Sequence, residues 1–173
     1  LNALTTDQLA AFETENMAAL STMQVSKILG SQLANFSTDQ IVALSTEQIR
    51  TLSTTQVAAL TSDQLNNMAS NDLQVLSTTQ IKALTATQVS SLSTDQLNKL
   101  TTSQIQALTT AQVVSLTSDQ LNSMASDDLQ ALTTGQIKAL TATQVSTLSS
   151  TQVAALETAD IATLSAAQAE KLS

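Results

Sequence analysis

Five residue types are missing from this 173-residue chain, which has no His, Cys, Trp, Tyr or Pro. Glycine occurs only at Gly30 and Gly135, and the aromatics are Phe12 and Phe36 alone. Each absence closes a class of chemistry. Without Cys or His there are no ligands of the usual kind for zinc, iron or haem, so no cofactor is expected. No Ser nucleophile has an imidazole base to activate it. Zero cysteines leave the redox compartment open, because a disulfide-free chain is tolerated anywhere. Six Lys and Arg stand against fourteen Asp and Glu, a net charge of −8. With those few basic residues scattered, nucleic acid and anionic membranes are poor partners, and the acidic balance mainly favours solubility. No apolar run approaches the length of a membrane span, so no insertion is expected. The chain opens at Leu1 with no signal peptide and with its repeat already in phase, which reads as a segment cut from a longer protein.

What is present is an eight-residue repeat. Counting from its large apolar residue as position 0, that position runs from Leu4 to Leu172 in steps of eight, and all 22 members are apolar. The members other than Leu are Phe12, Ile28, Phe36, Met68 and Met124. Position 1 is usually Ser or Thr, position 2 usually Thr, position 4 usually Gln. Position 5 is Leu, Ile, Val or Met until Ala169. The motif is L-[ST]-T-x-Q-[LIV]-x-x, with variable residues at positions 6 and 7. A single long helix cannot use this pattern. At about 100° per residue, eight residues overshoot two turns by roughly 80°, so the apolar stripe would wander round the axis. The chain must bend once per octad.

The octad carries its own start signal. Ser or Thr followed three residues later by Gln is a capping box: the hydroxyl accepts from the N3 amide and the Gln side chain reaches back to the N-cap amide. The apolar residues at positions 0 and 5 flank the cap as a hydrophobic staple. The expected caps are typified by Thr85 with Gln88, Ser93 with Gln96, Thr101 with Gln104 and Thr141 with Gln144. The expected core is typified by Leu84, Val89, Leu92, Leu97, Leu100, Ile105, Leu108 and Val113. The sequence also tests reciprocity. Position 1 lacks a hydroxyl at Glu13, Leu29, Ala69, Ala125 and Glu157; position 4 lacks Gln at Asn16, Asp72, Asp128 and Asp160. Every lost Gln falls in an octad that has lost its cap; only Leu29 keeps its partner, Gln32. In the four doubly changed octads, Thr14, Ser70, Ser126 or Thr158 sits one place later and could cap a shifted start.

A longer period lies above the octad. "LTSDQLNNMASNDLQVL" at 60–76 returns as "LTSDQLNSMASDDLQAL" at 116–132, and faintly as "LTTDQLAAFETENMAAL" at 4–20. The spacing is 56 residues, seven octads. Block duplication explains it; so does a superhelix in which seven octads complete whole turns, for example two turns of 3.5 octads with sides of about 12 Å.

Helices fit better than strands. Short β-solenoid coils need Gly, Asn or Asp at corners with positive φ, and two glycines cannot supply them. Strict apolar registers argue against disorder. The expected fold class is therefore all-α, a solenoid or superhelix of one- to two-turn helices, one per octad. It would form a single array of about 21 octads over residues 1–173, with divergent ends at 1–36 and 157–173 that are caps or drifted copies.

Candidate sites are few. Asp recurs at position 3 as Asp7, Asp39, Asp63, Asp95, Asp119 and Asp127, with Asp127–Asp128 the adjacent pair. Calcium binding would need a Gly-containing loop and a glutamate that are not there, whereas first-turn Asp suits the helix dipole. Regular Ser/Thr pairs could form a hydroxyl array for ice or glycans, or carry O-glycans. Met17, Met68 and Met124 fall in core registers. Lys82, Lys99 and Lys138 read as isolated solvated charges.

Strings such as "ALTTGQIKALTATQV" and "LSSTQVAAL" resemble tandem octad repeats of very large bacterial proteins, often labelled haem-utilisation or adhesion proteins. The resemblance covers essentially the whole chain. It implies a secreted or surface-anchored Gram-negative protein, with this segment as stalk or scaffold, and export by a type I system. The haem label finds no axial ligand in these residues. The expected function is thus a non-enzymatic structural segment at the cell surface or outside the cell, whose partners are its own neighbouring repeats. The alternatives are a protein- or glycan-binding solenoid module and, third, an ice-binding Thr array on a β-solenoid.

Overall fold

The computed structural model describes residues 5–172; the first member of the apolar series, Leu4, lies outside them. The described residues form twenty-one α-helices of four to six residues, from α1 (Thr6–Ala10) to α21 (Ala166–Ala169), and no strand. Each helix is one octad. Thr85, for instance, is an extended N-cap (φ −71°, ψ 156°), and α11 (Ala86–Ser91) ends at Leu92, again extended (φ −59°, ψ 140°). Two consecutive extended residues, the apolar residue and the cap, make the bend. No described residue has positive φ, and this is why the array manages with two glycines. Pro is not needed either, because the capping box supplies the stop and restart in every octad.

The helices wind into a superhelix. Each packs on the helix three further along: α4 (Gly30–Leu33) on α7 (Thr54–Ala59), α7 on α10 (Thr78–Ala83), α10 on α13 (Thr102–Ala107). Side-chain hydrogen bonds reach one octad further, across 28 to 31 residues. A turn therefore holds about 3.5 octads, 28 residues, and the 56-residue block repeat is two turns. Met68 and Met124, like Asp72 and Asp128, lie at the same angular place two turns apart.

Positions 0 and 5 fill one continuous core from Leu9 to Leu156. Position 5 is the inner register: Val89, Leu97, Ile105 and Val113 are fully buried, while Leu84, Leu92, Leu100 and Leu108 keep 4–5% exposure. Neither residue of one octad could be shielded within that octad, so stability comes from stacking turn on turn. Gly30 marks the tightest approach. A Cβ there would lie 2.9 Å from the Ala59 Cβ and 3.3 Å from the Thr55 carbonyl oxygen, so only glycine lets α4 close on α7.

One sequence expectation is corrected. The octads without a cap hydroxyl do not start one residue late. Glu13, Ala69, Ala125 and Glu157 remain the N-caps, in the same extended conformation as the others (Ala69 φ −64°, ψ 149°). Thr14, Ser70, Ser126 and Thr158 are simply the first helical residues. The N3 amide turns instead to the N-cap carbonyl, as in Asp72 N–H to Ala69 O (2.9 Å) and Asp128 N–H to Ala125 O (3.1 Å). Shifting the start would rotate both apolar residues out of the core, which costs far more than one lost cap.

Candidate functional element: a ladder of glutamines between turns

No side chains in this array converge on a pocket in the manner of an active site; the recurring polar feature is the glutamine at position 4. All fourteen from Gln40 to Gln168 are buried, and each amide works at both ends. The oxygen is local. Thr85 N–H donates to Gln88 Oε1 (2.7 Å) while Gln88 N–H donates to Thr85 Oγ1 (3.1 Å), the reciprocal box. Thr101 with Gln104 (2.9 and 3.3 Å) and Thr141 with Gln144 (2.9 and 3.1 Å) do the same. The nitrogen acts across the superhelix. Gln88 Nε2 donates to Leu60 O (2.6 Å) and Val57 O (3.2 Å), Gln104 Nε2 to Leu73 O (2.8 Å) and Leu76 O (2.9 Å), and Gln144 Nε2 to Leu116 O (2.9 Å) and Val113 O (3.1 Å).

These acceptors are the carbonyls that a chain of very short helices leaves over. A helix ends with its last carbonyls unpaired, and here each end is buried under the next turn. The Leu carbonyl at position 0 receives no backbone donor among the described residues, so the Gln from the following turn is its partner. A buried carbonyl left without one costs about 1–3 kcal/mol. Each Gln thus closes the start of its own helix and the end of another, about one turn back.

Ser93 and Gln96 depart from the expected box. Ser93 Oγ accepts from Gln96 N–H (3.2 Å), but the Ser93 amide donates to Asn66 Oδ1 (2.9 Å), which leaves Gln96 Oε1 buried without a partner. Gln96 Nε2 still holds Leu65 O and Asn66 O, each at 2.8 Å. Asn66 competes because it sits at position 6, close to the next turn, where its Nδ2 also donates to Ser91 O (2.6 Å). Gln74, Asn98 and Gln130, all at position 6, make similar bonds to Lys99 O, Ser123 O and Ala155 O. These secondary rungs went unread in the sequence; their one signal is amide residues at an otherwise variable position.

Three octads interrupt the ladder. Asp72, Asp128 and Asp160 cannot donate, so the carbonyls of Leu44, Leu100 and Leu132 lack the side-chain partner their neighbours have. Asp72 Oδ1 instead accepts from Thr46 Oγ1 (2.9 Å). The Asp128 carboxyl is pushed above the ordinary carboxylate range, first by burial and then by the adjacent negative charge of Asp127. The position-3 residues Asp7, Asp39, Asp63, Asp95, Asp119 and Asp127 are exposed first-turn acids. Among the described residues no three acidic side chains gather as a metal site would require.

The sequence profile of the ALTTAQ repeat matches residues 33–70, 65–102, 97–126 and 122–158, overlapping segments that together span most of the chain. The chain belongs to the ALTTAQ repeat family. No curated protein matches it. The family boundaries suit the fold: the matched segments overlap by whole runs of octads, as expected when an ALTTAQ array has one continuous core and no internal break.

Proposed function

We propose that this ALTTAQ array is a non-enzymatic structural segment, a stalk or scaffold that sets reach in a large secreted or surface-exposed bacterial protein. The observation that carries this reading is the fate of the polar residues. Nearly every buried polar side chain is a position-4 glutamine committed to a rung between turns, which leaves none over for acid–base or ligand chemistry. Its mechanism is mechanical. Each octad adds a fixed increment, and each turn is clamped to the last by core leucines and amide rungs. With helices stacked about 10 Å apart, six turns give a rod of roughly 60 Å. The partners in this reading are the array's own neighbouring repeats.

Deleting residues 61–116 removes two whole turns and rejoins Leu60 to Thr117 in register. The shortened chain should stay helical by circular dichroism, and its maximum dimension in small-angle X-ray scattering should fall by about 20 Å. A chain that unfolds, or keeps its length, would remove the basis for a modular spacer.

A further inference from the structure

The same interface repeats between every pair of turns, and it has two unlike faces. One presents Gln Nε2 donors and the other presents Leu carbonyls. Inside the array each face meets its complement; at the two ends of the described chain it does not. In the N-terminal turn Gln8 and Gln24 form their capping boxes but are exposed, and their Nε2 groups donate to no described residue. In the C-terminal turn the carbonyls of Leu148, Leu156 and Leu164 accept from no described donor. The core is open at the same places. Phe12 and Leu20 at one end, and Leu148, Leu164 and Leu172 at the other, are the position-0 residues left only partly buried. An open groove of about 400 Å³, lined by Val145, Leu148, Val153, Ala154, Lys171 and Leu172, lies beside α21, where one more octad would pack on α19 (Ser150–Ala155).

We propose that copies of this chain stack end to end, the N-terminal turn of one copy closing the C-terminal turn of the next. The occupant is a second copy because its first turn carries what the open end lacks. It brings amide donors at octad spacing, Gln8 and Gln24, and the half-covered apolar residues Phe12 and Leu20. The contact continues the interface already repeated through the chain. It is heterologous, with a different face on each partner, so it propagates into a filament rather than closing as a two-fold dimer. It stands on the interface alone and does not depend on the stalk reading.

The test uses variants of the whole chain with one end blocked. Gln8→Glu with Gln24→Glu keeps the capping oxygens but removes the donors and sets carboxylates against the carbonyls. Ala154→Arg fills the C-terminal groove, and Thr87→Arg is an exposed control in mid-array. Circular dichroism checks that all remain helical. In sedimentation velocity over a concentration series, the parent chain and Thr87→Arg should grow past two chains in mass. Each end-blocked variant should need at least tenfold higher concentration to associate. An equimolar mixture of the two blocked variants should stop at two chains, because it has one live end of each kind. A parent chain that stays monomeric to about millimolar concentration, association untouched by either block, or a mixture no heavier than its components would each overturn the proposal.

Discussion

Two neighbouring stretches of the array, Ala69–Leu76 and Thr85–Leu92, have nearly the same backbone and quite different chemistry. The second has a reciprocal capping box and three amide contacts to the turn before. The first has no cap hydroxyl and no donor, only Asp72 accepting from Thr46. Their N-cap dihedrals nonetheless agree within about ten degrees. Cap and ladder therefore do not choose the register. Burial of the two apolar residues does, since Leu73 and Leu76 are buried as deeply as Val89 and Leu92. The polar groups settle how firmly a turn is held once the core has placed it. The comparison also explains why cap and Gln are lost together. Without the hydroxyl, the N3 amide turns to the N-cap carbonyl, and a Gln there keeps only half its local role.

The comparison can be broken by turning one kind of octad into the other. Gln104→Ala strips a laddered octad of both roles, leaving the Thr101 amide and the Leu76 carbonyl unpaired. The expected loss is about 2–3 kcal/mol in urea denaturation, and an unchanged midpoint would refute the ladder. In the opposite direction, Ala125→Ser with Asp128→Gln installs a cap and a donor facing the Leu97 and Leu100 carbonyls. A gain of about 1–2 kcal/mol is expected, read as a higher melting temperature. Thr101→Ala removes only the cap. The Gln104 amide already lies 2.8 Å from the Thr101 carbonyl, so the cost should stay at about 0.5–1 kcal/mol. The smallest effect belongs to Asp128→Asn. Its raised pKa means that the folded chain holds this proton more firmly than the unfolded chain does. That contribution is present at low pH and is lost as pH rises through the raised value. The substitution should therefore add a few tenths of a kcal/mol at neutral pH and nothing below the carboxylate range. Melts at pH 7 and pH 3 would show the difference.

Much of this was legible in the sequence because the octad's signals are local. Leu84-Thr85-Ala86-Thr87-Gln88-Val89 contains the cap, its partner and the staple within six residues, enough to specify a short helix and to favour it over a strand. Seven octads as two turns could be named as a possibility from the 56-residue block. The other half of glutamine's role could not be read. Its oxygen bonds three residues away, but its nitrogen bonds 28 to 31 residues away, and no local pattern shows where a turn of superhelix brings the chain. The Ser93 exception was hidden for the same reason, because the competitor, Asn66, lies 27 residues back. The expectation of a shifted helix start erred by weighing a hydroxyl above the two core residues that a shift would expose.

The most direct test of the central claim separates the two ends of one amide. Gln104→Glu keeps an oxygen for the Thr101 amide, so the capping box survives, but removes the donor to Leu73 and Leu76. If the ladder clamps the turns, this variant loses about 2 kcal/mol or more at pH 7 and recovers part of it on acidification, as the protonated carboxyl becomes a donor again. Stability equal to the parent chain at pH 7, with no recovery at low pH, would show that glutamine matters only as a cap and that the turns are held by the core alone.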